Sequence, residues 1–82
     1  MSTNYDNRFD GKRIYEFGVP SQAVYEIRGN KIERYGYAEQ PKYEIRGDRI
    51  YQYGVASQAV FDIRGAKIHE HMTASQALYE IR

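Results

Sequence analysis

The chain has no cysteine and no tryptophan, and only two prolines in 82 residues. Without cysteine there is neither a disulfide framework nor a thiol nucleophile, and a core this small loses its commonest covalent staple. The same absence fits a reducing compartment. No apolar run approaches the roughly 20 residues needed to cross a bilayer as a helix. The opening MSTNYDNRFDGK is polar and has no signal-peptide core, so a cytoplasmic location is expected. Neither sign of charge dominates. Twelve Lys and Arg stand against 11 Asp and Glu, which removes any bulk attraction to nucleic acid or an anionic membrane. Phosphate-cradling motifs are missing too, because the glycines occur singly and never as G-x-G-x-x-G or a P-loop.

What the chain does have is repetition. YEIRG stands at 25–29 and 43–47, FDIRG at 61–65, and YEIR at 79–82, all in an 18-residue step. A second ladder runs Ile14, Ile32, Ile50, Ile68, each preceded by Arg or Lys. SQA recurs at 21–23, 57–59 and 75–77, with EQP at 39–41 in its place. A repeat of this kind is a supersecondary unit that cannot bury its apolar face alone.

Each unit reads as a β-hairpin. The two halves alternate apolar and polar residues, are rich in Tyr, Ile and Val, and show no 3.6-residue stripe. They are joined by Gly29-Asn30, Gly47-Asp48 and Gly65-Ala66, and glycine at the first of two loop positions suits a type II′ turn. That turn sets Ile27 opposite Ile32, Glu26 opposite Glu33 and Tyr25 opposite Arg34. One face then gathers eight isoleucines beside a ring of Tyr25, Tyr43, Phe61 and Tyr79. Each buried Ile contributes roughly 1.5–3 kcal/mol, and a slip of one residue would turn the whole set outward, so the register is expected to be firm. Short connections around Pro20-Ser21, Glu39-Gln40, Ala56-Ser57 and Ala74-Ser75 are expected to reverse the chain between units.

The first half-unit is degraded, with NRFD at 7–10 where YEIR belongs, and the last half, ALYEIR, has no second half after it. These two facts complement each other. If strand 76–82 returns to pair with strand 12–18, eight antiparallel strands close into a four-fold pseudo-symmetric barrel with no free edge. The expected organisation is a polar, weakly ordered or degenerate half-repeat over 1–10 and a single all-β repeat domain over 11–82. An open solenoid with an 18-residue coil is the rival architecture, and it lacks distinct caps here.

Tandem hairpins with this [YF]-[ED]-I-R-G-x-[KR]-I signature resemble the four-fold β-flower proteins, small symmetric β-barrels, over about residues 12–82. The resemblance implies the closed barrel and brings no catalytic residues. Through the likeness of flower-type barrels to tubby-like domains, it implies a lipid or membrane-surface partner by fold analogy alone.

Special chemistry in a repeat protein is expected where the symmetry breaks. In the last unit KIHEHMTAS replaces KIYQYGVAS, so His69 and His71 take Tyr positions and Met72 takes a Gly position. His-x-His on a strand puts two imidazoles on one face, and Asp62 stands opposite His69, which makes His69, His71 and Asp62 a candidate divalent-metal set. The alternative is that His merely replaces a half-exposed aromatic. The second break is KIERYGYAEQPK, where Pro41 interrupts a strand start; drift and a partner contact both account for it.

The recurring acids Glu26, Glu44, Asp62 and Glu80 argue for cross-strand charge pairing rather than catalysis. Ser21, Ser57 and Ser75 have no His at constant spacing, so no nucleophile triad is encoded. Neither an enzyme nor a cofactor is expected. The expected role is a binding or scaffold module, its ligand held at one end of the barrel where Tyr, Gln and Arg converge. Candidate contacts are Tyr15, Phe17, Tyr35, Tyr51 and Tyr53, with Gln22, Gln40, Gln58 and Gln76 and with Arg28, Arg46 and Arg64. Carbohydrate, lipid head group or protein are the candidate ligands. A homo-oligomeric structural protein is the main alternative. A single-stranded nucleic-acid binder is a lesser one, since the basic and aromatic interleaving that suits stacked bases is offset by the acid ring.

Overall fold

Residues that alternate in sequence alternate in space. The computed structural model describes residues 7–19, 21–55, 58–72 and 76–82. Its strands are β1 (Arg13–Glu16), β2 (Tyr25–Arg28), β3 (Lys31–Arg34), β4 (Tyr43–Arg46), β5 (Arg49–Gln52), β6 (Phe61–Arg64), β7 (Lys67–Glu70) and β8 (Tyr79–Ile81). Every strand carries one fully buried isoleucine, flanked by half-buried or exposed neighbours. The eight isoleucines, Ile14, Ile27, Ile32, Ile45, Ile50, Ile63, Ile68 and Ile81, are the core, each 5 % exposed or less.

The strands run antiparallel in chain order and close on themselves, β8 pairing with β1. Ile14 faces Ile81 across this seam, and backbone bonds extend it from Arg13–Arg82 to Phe17–Leu78. Closure leaves no edge strand for another chain to extend. The hairpin registers are those that a two-residue loop dictates: Ile27 opposite Ile32, Ile45 opposite Ile50, Ile63 opposite Ile68. Gly29, Gly47 and Gly65 have φ of 64°, 61° and 64°, whereas the residues after them do not enter the left-handed region. That combination is the type II′ pattern. Between hairpins one bond recurs four times at 2.7 Å, from Val24, Lys42, Val60 and Leu78 N–H to the carbonyls of Ile14, Ile32, Ile50 and Ile68.

The hairpin turns gather at one end of the barrel, the floor, and the inter-hairpin segments at the other, the mouth. Residues 7–12 fold across the floor. Phe9 packs against the isoleucine core, the Asp10 carboxylate accepts from Gly29 N–H at 2.6 Å, and Arg8 donates to Gly47 O at 2.6 Å and Asp48 Oδ1 at 3.1 Å. Over 7–10 the segment expected to be a weakly ordered or degenerate half-repeat forms a plug with these partners; residues 1–6 lie outside the described ones. Lys12 O accepts from Ile27 N–H at 2.9 Å, as Asn30, Asp48 and Ala66 do from the next isoleucine in each later unit. Gly11-Lys12 thus fills the turn position at the seam. Asn30 is the one buried polar side chain of the described residues, and its Nδ2 donates to Ile45 O at 3.0 Å. The expected reversals at Pro20, at 56–57 and at 74–75 fall outside the described residues.

Candidate functional site: the aromatic mouth of the barrel

The outward-facing residues expected to bind a ligand are engaged with one another. Arg46 and Arg82 lie over the rings of Tyr51 and Tyr15, each with Cζ 4.8 Å from the centroid, and Arg13 lies over Tyr35 at 5.1 Å. Lys31 and Lys67 stand 5.8 Å from the rings of Tyr53 and Phe17. In the first full hairpin, where Glu33 replaces the aromatic, Arg28 turns to carboxylates instead, Glu26 at 2.9 Å and Glu33 at 3.6 Å. Arg46 likewise holds Glu44 at 3.0 Å. The basic residues and tyrosines of the wall are therefore engaged with one another through cation–π contacts and exposed, solvent-screened ion pairs.

The expected convergence of Tyr, Gln and Arg at one end does not occur. Arg28, Arg46 and Arg64 flank the hairpin turns at the floor, whereas Gln22, Gln40, Gln58 and Gln76 are exposed in the segments at the mouth. Because neighbouring strands alternate in direction around the closed sheet, the tips of β2–β3, β4–β5 and β6–β7 share one end, and that topology keeps the two sets apart.

The metal set is also redrawn. His71 Nδ1 and Asp62 Oδ1 are 2.7 Å apart, and Asp62 Oδ2 accepts from Met72 N–H at 3.4 Å. Both oxygens of Asp62 are thus committed to the His71–Met72 turn. Among the described residues no three His, Cys, Asp or Glu side chains come together to hold a metal, so His69 is not brought into a site with the other two. The hydrogen bond from His71, helped by Met72 N–H, holds the Asp62 carboxyl below the usual range.

What converges on the barrel axis is the ring of inward aromatics. Tyr25, Tyr43, Phe61 and Tyr79 each meet the next edge to face, with centroids 5.9, 5.6, 6.0 and 6.0 Å apart and planes inclined by 74–87°. Sequence reasoning placed these four beside the core and passed over them as a site. The available signal was a hydroxyl-bearing aromatic repeated at an inward position where isoleucine would serve for packing alone. Beneath the ring lies an apolar cavity of about 10 Å³, walled by the four rings and by Ile14, Ile32, Ile50 and Ile68. That volume is at the lower limit for one water molecule. Burial, then the adjoining hydroxyls of Tyr43 and Tyr79, push the Tyr25 phenol up to about 12.

Directly opposite residues share a face, so the register sets Glu16, Arg34, Gln52 and Glu70 on the inner face beside Tyr79, Tyr25, Tyr43 and Phe61. They form the rim of the mouth. Beyond the rim the inter-hairpin segments expose Phe17, Val19, Tyr37, Val55, Met72 and Leu78. Comparisons of the chain with protein-family models, curated proteins and solved structures find no match. Among the described residues no helix is long and apolar enough to cross a membrane.

Proposed function

We propose that this domain is a non-enzymatic binding module whose ligand sits on the barrel axis at the aromatic mouth. The observation that carries the reading is the asymmetry of the two ends. Phe9 and the 7–12 segment seal the floor, whereas the mouth presents four half-buried rings above a cavity. Packing alone is served by isoleucine everywhere else along the axis. Closed barrels of small size typically place ligands in such mouths. The outer wall, with its cations already stacked on its aromatics, offers an incoming partner little unsatisfied chemistry. Kinship with the four-fold β-flower barrels is part of this proposal and rests on the repeat signature and the closed ring of hairpins. So is a cytoplasmic setting.

A second reading draws on the exposed apolar side chains of the mouth segments, which suit burial against another copy of the chain. It makes the domain an assembly protein. Light scattering across a concentration series, with tyrosine nitration followed on the same samples, separates the two. A mass of 9.6 kDa with ring tyrosines open to reagent supports the binding module. A stable multiple of that mass with protected tyrosines overturns it in favour of assembly.

A further inference from the structure

We propose that the outer wall over β5–β6 binds a phosphate-type dianion between the guanidinium groups of Arg49 and Arg64. The site lies near the floor and is independent of any ligand on the barrel axis.

The repeat sets like charges opposite one another at each hairpin tip: Arg28 faces Lys31, Arg46 faces Arg49, and Arg64 faces Lys67. Directly opposed like charges destabilise a strand pair unless something neutralises them. Around most of the barrel the chain supplies that group itself. Arg28, Arg46 and Arg82 each hold the acid two residues earlier, Glu26 at 2.9 Å, Glu44 at 3.0 Å and Glu80 at 3.4 Å. Arg13, Lys31 and Lys67 lie over the rings of Tyr35, Tyr53 and Phe17.

The unit built on β6 and β7 breaks both arrangements. Its acid is Asp62, one methylene shorter than Glu, and it is taken by His71 Nδ1 at 2.7 Å and by the Met72 amide. Arg64 therefore lacks the carboxylate that its three counterparts hold. His71 also stands where the other units place Tyr35, Tyr53 or Phe17, so Arg49 has no phenol or phenyl face to lie over. The remaining acids nearby are engaged elsewhere, Glu44 with Arg46 and Asp48 with Arg8 at 3.1 Å. At the tip of β6–β7, Ala66 replaces the Asn30 and Asp48 of the earlier hairpins and adds no acid. Arg49 and Arg64 are both exposed, and among the described residues neither closes an ion pair or a side-chain hydrogen bond.

The register brings these two together. Arg49 lies opposite Asp62, and Arg64 follows Asp62 by two residues on the same outer face. They are diagonal neighbours, roughly 7–8 Å apart at the backbone, which lets two long side chains converge on one ion. The outer face of β4–β7 carries Arg46, Arg49, Arg64 and Lys67 against Glu44 and Asp62, so the local field is positive although the whole chain is nearly neutral. Guanidinium forks match pairs of oxyanion oxygens, and a dianion offsets both charges where a carboxylate offsets one.

The test is a titration of the full chain at pH 7.5 and constant ionic strength with inorganic phosphate, phenyl phosphate and dimethyl phosphate, following the backbone amide resonances of Arg49, Arg64 and Gly65. Saturable shifts are expected with the first two, and the stronger of them tells a free ion from a monoester. Dimethyl phosphate, with a single charge, is expected to bind about tenfold more weakly. Arg49→Gln and Arg64→Gln are each expected to weaken phosphate about tenfold, and Arg28→Gln to leave it within about twofold. Asp62→Glu combined with His71→Tyr restores the residue types of Glu44 and Tyr53 and removes no cation. It is expected to abolish binding by giving Arg64 its carboxylate and Arg49 its ring. No saturable shift with phosphate or phenyl phosphate, an equal response to dimethyl phosphate, an equal loss in Arg28→Gln, or full affinity in the double variant would each overturn the proposal.

Discussion

Met72 occupies a backbone position that its three counterparts give to glycine, and replacing it with glycine is expected to stabilise the fold. Gly18, Gly36 and Gly54 have φ of 77°, 83° and 77° in the segments leaving β1, β3 and β5, and Met72 has φ 65° in the segment leaving β7. The left-handed region costs a residue with a side chain roughly 1–2 kcal/mol, because Cβ crowds the carbonyl oxygen that follows. The Met72 side chain is 80 % exposed, so its loss removes little buried area. Against the relief stands the greater freedom of glycine in the unfolded chain, about 0.4–1 kcal/mol. The balance favours Met72→Gly by about 0.5–1 kcal/mol, or a rise of several degrees in Tm for a domain of this size. Urea denaturation gives the clean measurement: the midpoint moves up while the slope stays constant. The reverse exchange, Gly54→Met, is expected to cost a similar amount. A Cβ built there meets nothing within 4 Å, so conformational strain alone is tested. If Met72→Gly leaves the midpoint unchanged or lowers it while Gly54→Met is harmless, the strain argument is refuted.

The other predictions concern protons and packing. The Tyr25 phenol is neutral in both states below its ordinary value of 10.0; above it the unfolded chain ionises first, because folding raises the value to about 12. Stability measured relative to Tyr25→Phe is therefore flat below pH 10 and falls as the pH rises from 10 towards about 12, which alkaline unfolding followed by circular dichroism reads. Asp62 behaves in the opposite sense. Its carboxyl is lowered in the folded state, so its contribution is present above the ordinary Asp value and lost as pH falls through the folded one; the stability gap between the parent and Asp62→Asn is expected to close in acid. Phe9→Ala removes the partly buried ring that seals the floor and is expected to cost about 2 kcal/mol in urea, less than a fully buried Phe. Asn30→Ala leaves Ile45 O without one of its donors and is expected to cost about 1 kcal/mol in the same assay.

The strands, their register and the closing pair were legible because each rests on a local rule. Period-two alternation fixes which face the isoleucines take, and a two-residue loop beginning with glycine fixes Ile27 opposite Ile32. The site was legible only in part. Tyr25, Tyr43, Phe61 and Tyr79 were visible as a ring, but how four side chains from alternate strands meet across an axis depends on barrel curvature, which no spacing in the chain records. Arg28 and Gln22 belong to the same repeat, six residues apart, and their separation onto opposite ends follows from the length of a strand rather than from residue type. His69 and His71 share a face, as the spacing requires, but Asp62 goes to His71 and to the Met72 amide, a choice made by the turn. The plug formed by Phe9 was hidden because NRFD no longer resembles the unit it replaces.

The seam has a consequence for the order in which the molecule assembles. Seven of the eight strand pairings join neighbours in sequence, so each requires only a short loop to close. The eighth joins Ile14 to Ile81 across nearly the whole chain. Loop closure becomes entropically dearer with length, and contacts of large sequence separation slow folding. Hairpins β2–β3, β4–β5 and β6–β7 can form early and independently, but the core they share is complete only when the ring shuts. The β1–β8 zipper is therefore the last step in and the first step out.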